Sequence, residues 1–198
     1  MSNTDWESCY REKTTPWDRG GPSPPLRELF ERFAPAGRVL VPGCGRGYDV
    51  ALIAAHGGNV TGLDIAETAV REAAEVHPHL ASAFVHGDLF RLPAELLGAF
   101  DFVVEHTCLS GMPPAMRGAY RDAVKAALRP GGHLIGVWFV NPDLDPGEEG
   151  PPYPLPLEEL DALFAADFEV VEDYIPQAAY EGREGRERVR VLRKTASG

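Results

Sequence analysis

The chain has 198 residues, 44% of them hydrophobic and 25% charged, the composition of one soluble globular domain. A domain of that size buries roughly 70% of its unfolded surface and needs neither disulfides nor a structural metal. The 19 basic and 30 acidic residues leave a formal charge of −11, which excludes the electrostatic footprint of a nucleic-acid binder and makes an anionic membrane a poor partner.

Residues 1–22 are polar, aromatic and turn-rich without periodicity, and read as an arm preceding a single domain over 23–198. They show no basic stretch followed by an apolar one, so no secretory signal is expected and the chain is expected in the cytoplasm. Ser23-Pro24 predicts a helix start, with serine at the N-cap and proline in the first turn, followed by an apolar stripe of Leu26, Leu29, Phe30 and Phe33. Arg38-Val-Leu-Val41 predicts a strand that runs into Pro42-Gly-Cys-Gly-Arg-Gly47, and helical spacing resumes through Val50, Ile53 and Ala54 to His56. Further strands are predicted at Asn59 to Leu63, Ala83 to Val85 and Phe100 to Val104, with a helix over Ala66 to Val76.

A helix is predicted from about Pro114 to Leu128, with Met116, Tyr120, Val124 and Leu128 at four-residue steps and Arg129-Pro-Gly-Gly132 as its stop. His133 to Val140 then reads as a strand covered on both faces, too short to cross a bilayer. A helix at Leu157 to Phe164 and strands near Phe168 to Tyr174 and Arg188 to Leu192 complete the pattern. Alternating strands and helices predict an α/β, Rossmann-like, mostly parallel seven-stranded sheet with helices on both faces. Ten of the 18 prolines gather in two windows, Pro16 to Pro25 and Pro142 to Pro156.

The sharpest local feature is Gly43-Cys-Gly45-Arg-Gly47 between a strand and a helix, a loop that admits a ligand to the backbone and to the helix N–H groups. In a dinucleotide fold the third small residue would stand at position 48; Tyr48 does not fit, which disfavours a dinucleotide oxidoreductase. No Gly-Lys-Ser/Thr follows, so the loop is not a phosphate-binding P-loop. Asp64 ends the next strand, placed to accept two hydrogen bonds from a ribose diol, and Gly87-Asp88-Leu89 after the third strand is placed to read an adenine edge. Loop, ribose acid and adenine reader after three successive strands describe an S-adenosylmethionine site.

Three further stretches narrow this. Trp6-Glu-x-x-Tyr10 with Thr15-Pro-Trp17-Asp-x-Gly20, Leu40-Val-Pro-Gly-Cys-Gly45-Arg-Gly-Tyr-Asp49, and Gly150-Pro-Pro-Tyr153 resemble the thiopurine S-methyltransferase family, in particular its thiol, halide and thiocyanate branch. Val60 to Ile65, Phe100 to His106 and Pro114 to Tyr120 match in the same order. The resemblance implies a class I fold, S-adenosyl-L-methionine as methyl donor, and donor contacts at Trp6, Tyr10, Trp17, Gly43, Gly45, Asp64, Asp88, Leu89 and His106. Tryptophan faces beside a sulfonium attract it by ~0.5–2 kcal/mol each. It also implies a substrate-side role for Arg117 and pocket walls at Phe139, Trp138 and Tyr153. Val41 stands two residues before Gly43, where the wider superfamily often has an acid. Phe139, towards the end of the fifth strand, stands where thiocyanate-active members of the resembled family carry tyrosine, a departure that bears on thiocyanate and halide rather than on thiols.

The expected reaction is in-line displacement at the donor methyl by a soft sulfur acceptor, which needs positioning and desolvation more than a general base. The acceptor is expected to be a small thiol or thiopurine-like molecule and the enzyme a monomer. The proline windows are expected to fold over the donor as lids. No histidine spacing suggests a metal, and neither Cys44 nor Cys108 is marked as a nucleophile. Two other readings share the donor site: an S-adenosylmethionine-binding protein without catalysis, and a methyltransferase for halide, selenium, tellurium or other small acceptors.

Overall fold

The computed structural model describes residues 4–140, 142, 144 and 150–195. Seven strands form one sheet: β1 (Arg38–Pro42), β2 (Asn59–Asp64), β3 (Phe84–His86), β4 (Phe100–His106), β5 (Leu128–Phe139), β6 (Phe168–Tyr174) and β7 (Glu187–Lys194). Their spatial order is β3-β2-β1-β4-β5-β7-β6, parallel from β3 to β5, with β7 antiparallel to both its neighbours.

Among the described residues, six α-helices accompany them: α1 (Trp6–Arg11), α2 (Pro24–Phe30), α3 (Tyr48–Ala55), α4 (Glu67–Val76), α5 (Arg117–Ala127) and α6 (Leu157–Phe164). Because side chains alternate across a strand, each central strand feeds two cores. Leu40, Val103, Leu134 and Trp138 face α5 and α6 through Tyr120, Val124, Leu160 and Phe164. Val39, Val41, Val104, Ile135 and Val137 face α2 and α3 through Leu26, Leu29, Phe30, Val50 and Ile53. The sheet is thus wrapped on both faces, as the alternation predicts.

Five local expectations are corrected. Residues 1–22 are not irregular throughout: α1 forms within them, because the Asp5 carboxylate accepts the Ser8 N–H at 3.0 Å and closes the first turn. Ser23 sits at the start of α2, yet no hydrogen bond from its side chain caps the helix; its N–H is taken instead by Asp49 at 2.7 Å. The apolar stripe outlasts α2, which ends at Phe30, and Phe33 packs from a turn against Phe102; Pro35 disfavours helix at the residue before it. The helix predicted from Pro114 opens as a 3-10 turn (Pro114–Met116) and becomes α-helical at Arg117. Arg129 to Gly132, read as a plain stop, interrupts the β4–β5 ladder: Leu128 pairs with Phe100, and pairing resumes with His133 opposite Phe102.

Candidate active site

β1 is flanked by β2 on one side and β4 on the other, so the sheet reverses direction beyond the carboxyl ends of β1 and β4. Such a switch point opens a crevice for ligands. The crevice here is a cavity of about 1010 Å³, at the top of the ~300–1,000 Å³ range of small-molecule sites.

The glycine loop forms one wall. Gly47 has φ +79° and a Cβ there would lie 2.5 Å from the Phe84 ring; a Cβ on Gly45, at φ +53°, would meet the Tyr10 hydroxyl at 2.9 Å. Both positions therefore demand glycine, and the bare backbone is left facing the cavity. Asp64, at the end of β2, is 7% exposed. Its two oxygens accept the N–H groups of Gly45 and Ala66 at 2.9 Å each. Burial raises its pKa and these N–H groups oppose that rise, so the carboxylate is fixed in orientation with lone pairs left for a diol. Asp88 accepts the Phe90 N–H at 2.9 Å and so shapes the turn that presents Leu89 to the cavity.

The arm is docked over this wall. Trp17 meets Trp6 and Tyr10 edge-on, at 5.2 Å and 5.9 Å between centroids, and its Nε1–H donates to the Tyr10 hydroxyl at 3.3 Å. Glu7 accepts from the N–H and hydroxyl of Thr68 at 3.0 Å and 2.6 Å, tying α1 to the first turn of α4. Arg46 of the loop pairs with Asp18 and Glu72 and lies 5.6 Å over Tyr10.

His106 closes the carboxyl end of β4. Its Nδ1 lies 3.3 Å from Asp49 and its Nε2 3.7 Å from Glu187. Burial lowers its pKa, but the two carboxylates outweigh burial and lift it to about 9, so the ring is an imidazolium at neutral pH. Tyr180 stacks on it at 5.8 Å and donates its hydroxyl to the Gly21 carbonyl at 2.6 Å. Arg183 pairs with Glu187 at 3.1 Å and lies 4.7 Å over Phe139. This polar cluster spans α3, β4, β7 and the segment before β7. Asp49 and His106 stand within matched motifs, but Arg183 and Glu187 do not and their spacing reads as an ordinary i,i+4 pair, so nothing in the sequence joins the four.

Trp6, Tyr10, Trp17, Gly43, Gly45, Asp64, Asp88, Leu89, His106 and Phe139 all line the one cavity. Three expected residues do not. Arg117 is 2% exposed and turned away: Nη2 donates to the Pro154 carbonyl at 2.6 Å and Nη1 pairs with Glu159 of α6 at 2.5 Å. Trp138 stacks on Phe164 at 5.5 Å in the α5/α6 core, because alternation along β5 turns its side chain away from that of Phe139. Tyr153 lies beside the cavity, its N–H donating to the Ser110 carbonyl at 2.7 Å, while Pro151 and Pro152 form the lining there.

The profile of the Thiopurine S-methyltransferase (TPMT) family matches residues 1–195. The chain belongs to the thiopurine S-methyltransferase family. It is 34% identical over 203 residues to "Probable thiol methyltransferase 2" of Arabidopsis thaliana, covering 99% of this chain and 87% of that one. It is also 34% identical over 191 residues to "Thiocyanate methyltransferase 1" of Brassica oleracea, covering 93% and 82%. A solved structure of Burkholderia thailandensis 1,6-didemethyltoxoflavin-N1-methyltransferase, with bound 1,6-didemethyltoxoflavin and S-adenosylhomocysteine, superposes with a TM-score of 0.75 at 25% identity, covering 96% of this chain and 86% of that one.

This family member is an S-adenosylmethionine-dependent methyltransferase. The cavity residues fit that donor: a glycine cradle that a Cβ would fill, a buried carboxylate with free lone pairs, and aromatic faces suited to a sulfonium. Among the described residues, no helix is long and apolar enough to cross a membrane, and no group of three or more His, Cys, Asp or Glu could hold a metal.

Proposed function

We propose that this methyltransferase transfers the methyl group to the sulfur of a small thiol or thiopurine-like acceptor. The observation that carries the reading is the wall opposite the glycine loop. Phe139, Met112, Met116, Pro151 and Pro152 face the cavity there, and the nearby charged groups His106 and Arg183 are already paired with Asp49 and Glu187. Such a wall desolvates a soft anion, and its imidazolium and guanidinium are already engaged, which suits a thiol that ionises by itself and suits an alcohol or amine poorly. S-Adenosylmethionine, when bound, supplies an electrophilic methyl group on a sulfonium. The chain's own part is to hold and shield it: Asp64 takes the ribose hydroxyls, Leu89 and the Asp88 turn border the adenine, and Trp6 and Trp17 cover the charged sulfur. The arm and the second proline window, Pro142 to Pro156, act as lids that exclude water; residues 143 and 145–149 of that window lie outside the described residues. The names of the thiol and thiocyanate relatives support a sulfur acceptor, and the −11 charge supports a free small molecule over a polyanion. We place the enzyme in the cytoplasm as a monomer.

A methyl-transfer screen over aliphatic thiols, aromatic thiols, sulfide, thiocyanate, halides and selenium compounds tests the reading. Turnover of thiols above thiocyanate and halide is expected, given Phe139. Activity on oxygen or nitrogen acceptors alone overturns it.

A further inference from the structure

Between β4 and the 3-10 turn Leu109–Gly111 stands Thr107, at φ +61°. A β-branched residue in the left-handed region is a strained outlier that neighbouring structure must hold in place. The holder is Glu105. Its carboxyl is fully buried, and Oε2 accepts the N–H groups of Cys108 and Leu109 at 2.7 Å and 3.1 Å, gripping the backbone just past the strained residue. Oε1 has no hydrogen-bond partner among the described residues.

The turn so held borders the glycine loop, the arm and the segment bearing Pro151 and Pro152. A Cβ on Gly43 of the donor loop would lie 3.0 Å from the Cys108 sulfur. A Cβ on Gly111 would lie 3.4 Å from the Trp6 ring. The Ser110 carbonyl receives the Tyr153 N–H at 2.7 Å and so anchors the segment bearing Pro151 and Pro152. Met112 at its end lines the cavity.

We propose that Glu105 is a positioning residue for methyl transfer: its buried carboxylate holds the strained Thr107–Met112 turn and through it the acceptor wall. The proposal rests on the thiol-acceptor reading for its kinetic test but not for its folding test. Two N–H groups held by one anionic oxygen form charge-assisted bonds, stronger than those to a neutral carboxyl, so protonation loosens the turn. Burial raises the pKa of Glu105, the Leu109 and Cys108 N–H groups and the His106 charge lower it, and the balance lies at about 7. The titratable groups that feel its charge are His106 on β4, Cys108 in the turn and Tyr120 on α5; burial and then the Glu105 carboxylate push the last two pKa values up, so both stay neutral.

The test is Glu105→Gln, which keeps the shape and an acceptor oxygen but removes the charge. With an acidic aromatic thiol already ionised at pH 6, the parent's kcat/KM is expected to rise through pH 7. E105Q is expected to be flat from pH 6 to 8 and about 10-fold lower at pH 8, mostly through acceptor KM, with S-adenosylhomocysteine affinity within about 3-fold of the parent. Adding Thr107→Gly, which removes the left-handed strain, is expected to recover most of that loss. Unchanged acceptor KM and an unchanged profile in E105Q overturn the proposal. If E105Q does not fold, a parent profile without a limb near pH 7 overturns it and one with that limb supports it. If no thiol is methylated, Tm decides: a carboxyl raised on folding makes the parent lose stability from about pH 4.5 through 7, so between pH 5 and 6.5, below the range in which His106 loses its contribution, the parent's Tm falls more steeply than that of E105Q. Equal slopes overturn the proposal.

Discussion

On one side of the cavity, Gly43, Gly45, Asp64 and Leu89 come from three successive strand-and-turn units, and they act through bare backbone, one carboxylate and one apolar contact. On the other side, Phe139, His106, Arg183 and Pro151 come from β5, β4 and two segments far apart in the chain, and they are held by buried charge pairs and single carbonyl hydrogen bonds. The glycine-loop side is specified by local conformation that few residue types adopt. The Phe139 side is specified by long-range partners. Changes on the first side are therefore expected to move the fold and donor affinity, and changes on the second to move acceptor use.

The largest effect is expected at Gly47. Gly47→Ala places a Cβ 2.5 Å from the Phe84 ring at φ +79°. A left-handed non-glycine costs roughly 1–2 kcal/mol and overpacking ~1–3 kcal/mol more, so urea denaturation is expected to show about 3–4 kcal/mol of lost stability. Stability unchanged in that variant would break the comparison at its root.

The cluster around His106 joins the two sides, and pH reads its strength. The imidazole pKa is raised on folding, from 6.5 to about 9, by Asp49 and Glu187 against the opposing effect of burial. A raised pKa on a basic group stabilises the fold fully below the unfolded value and loses that contribution as pH climbs to the folded value. Stability is therefore expected to fall between pH 6.5 and 9 by up to about 3 kcal/mol at 1.36 kcal/mol per pKa unit, and His106→Gln is expected to abolish that slope.

Donor affinity comes next. Asp64→Asn keeps one oxygen for the Gly45 or Ala66 N–H but loses the charge, and about 100-fold weaker S-adenosylhomocysteine binding, or ~2.7 kcal/mol, is expected by calorimetry. Removing residues 1–20 takes away Trp6, Tyr10 and Trp17, and about 30-fold weaker binding of S-adenosylmethionine, which carries the sulfonium, is expected at ~0.5–2 kcal/mol per aromatic face. Unchanged affinity in the truncation would end the view of the arm as a lid.

The same contrast governs how much was legible in the sequence. The loop, Asp64 and the strand alternation are local patterns; they forecast the parallel sheet that the structure shows, and residues that it gathers along one cavity. Helix α1 was hidden because its cap, Asp5 to Ser8, stabilises six residues with no apolar period. Trp138 suits an acceptor wall by its aromatic character, but along a strand adjacent residues face opposite sides, and it is Phe139 that meets the cavity. The Asp49–His106–Glu187 cluster joins positions 49 to 187 and leaves no spacing signal.

Arg117 carries the smallest expected effect and separates two roles for one cation. Its guanidinium binds the Pro154 carbonyl and Glu159, whose side chain is 43% exposed, so solvent screens most of that ion pair. Arg117→Met keeps the buried stem and releases the carbonyl, so Pro151 and Pro152 lose one of two anchors; Tyr153 to Ser110 remains. Stability is expected to fall by about 1 kcal/mol, acceptor KM to rise about 10-fold, and donor affinity to stay within about 2-fold. An arginine that touched the acceptor would instead favour anionic substrates. Paired thiols that differ only by a remote carboxylate distinguish the two: equal losses for both mean that Arg117 holds the wall, whereas a loss confined to the anionic thiol means that it reaches the acceptor and that the wall rests on Tyr153 alone.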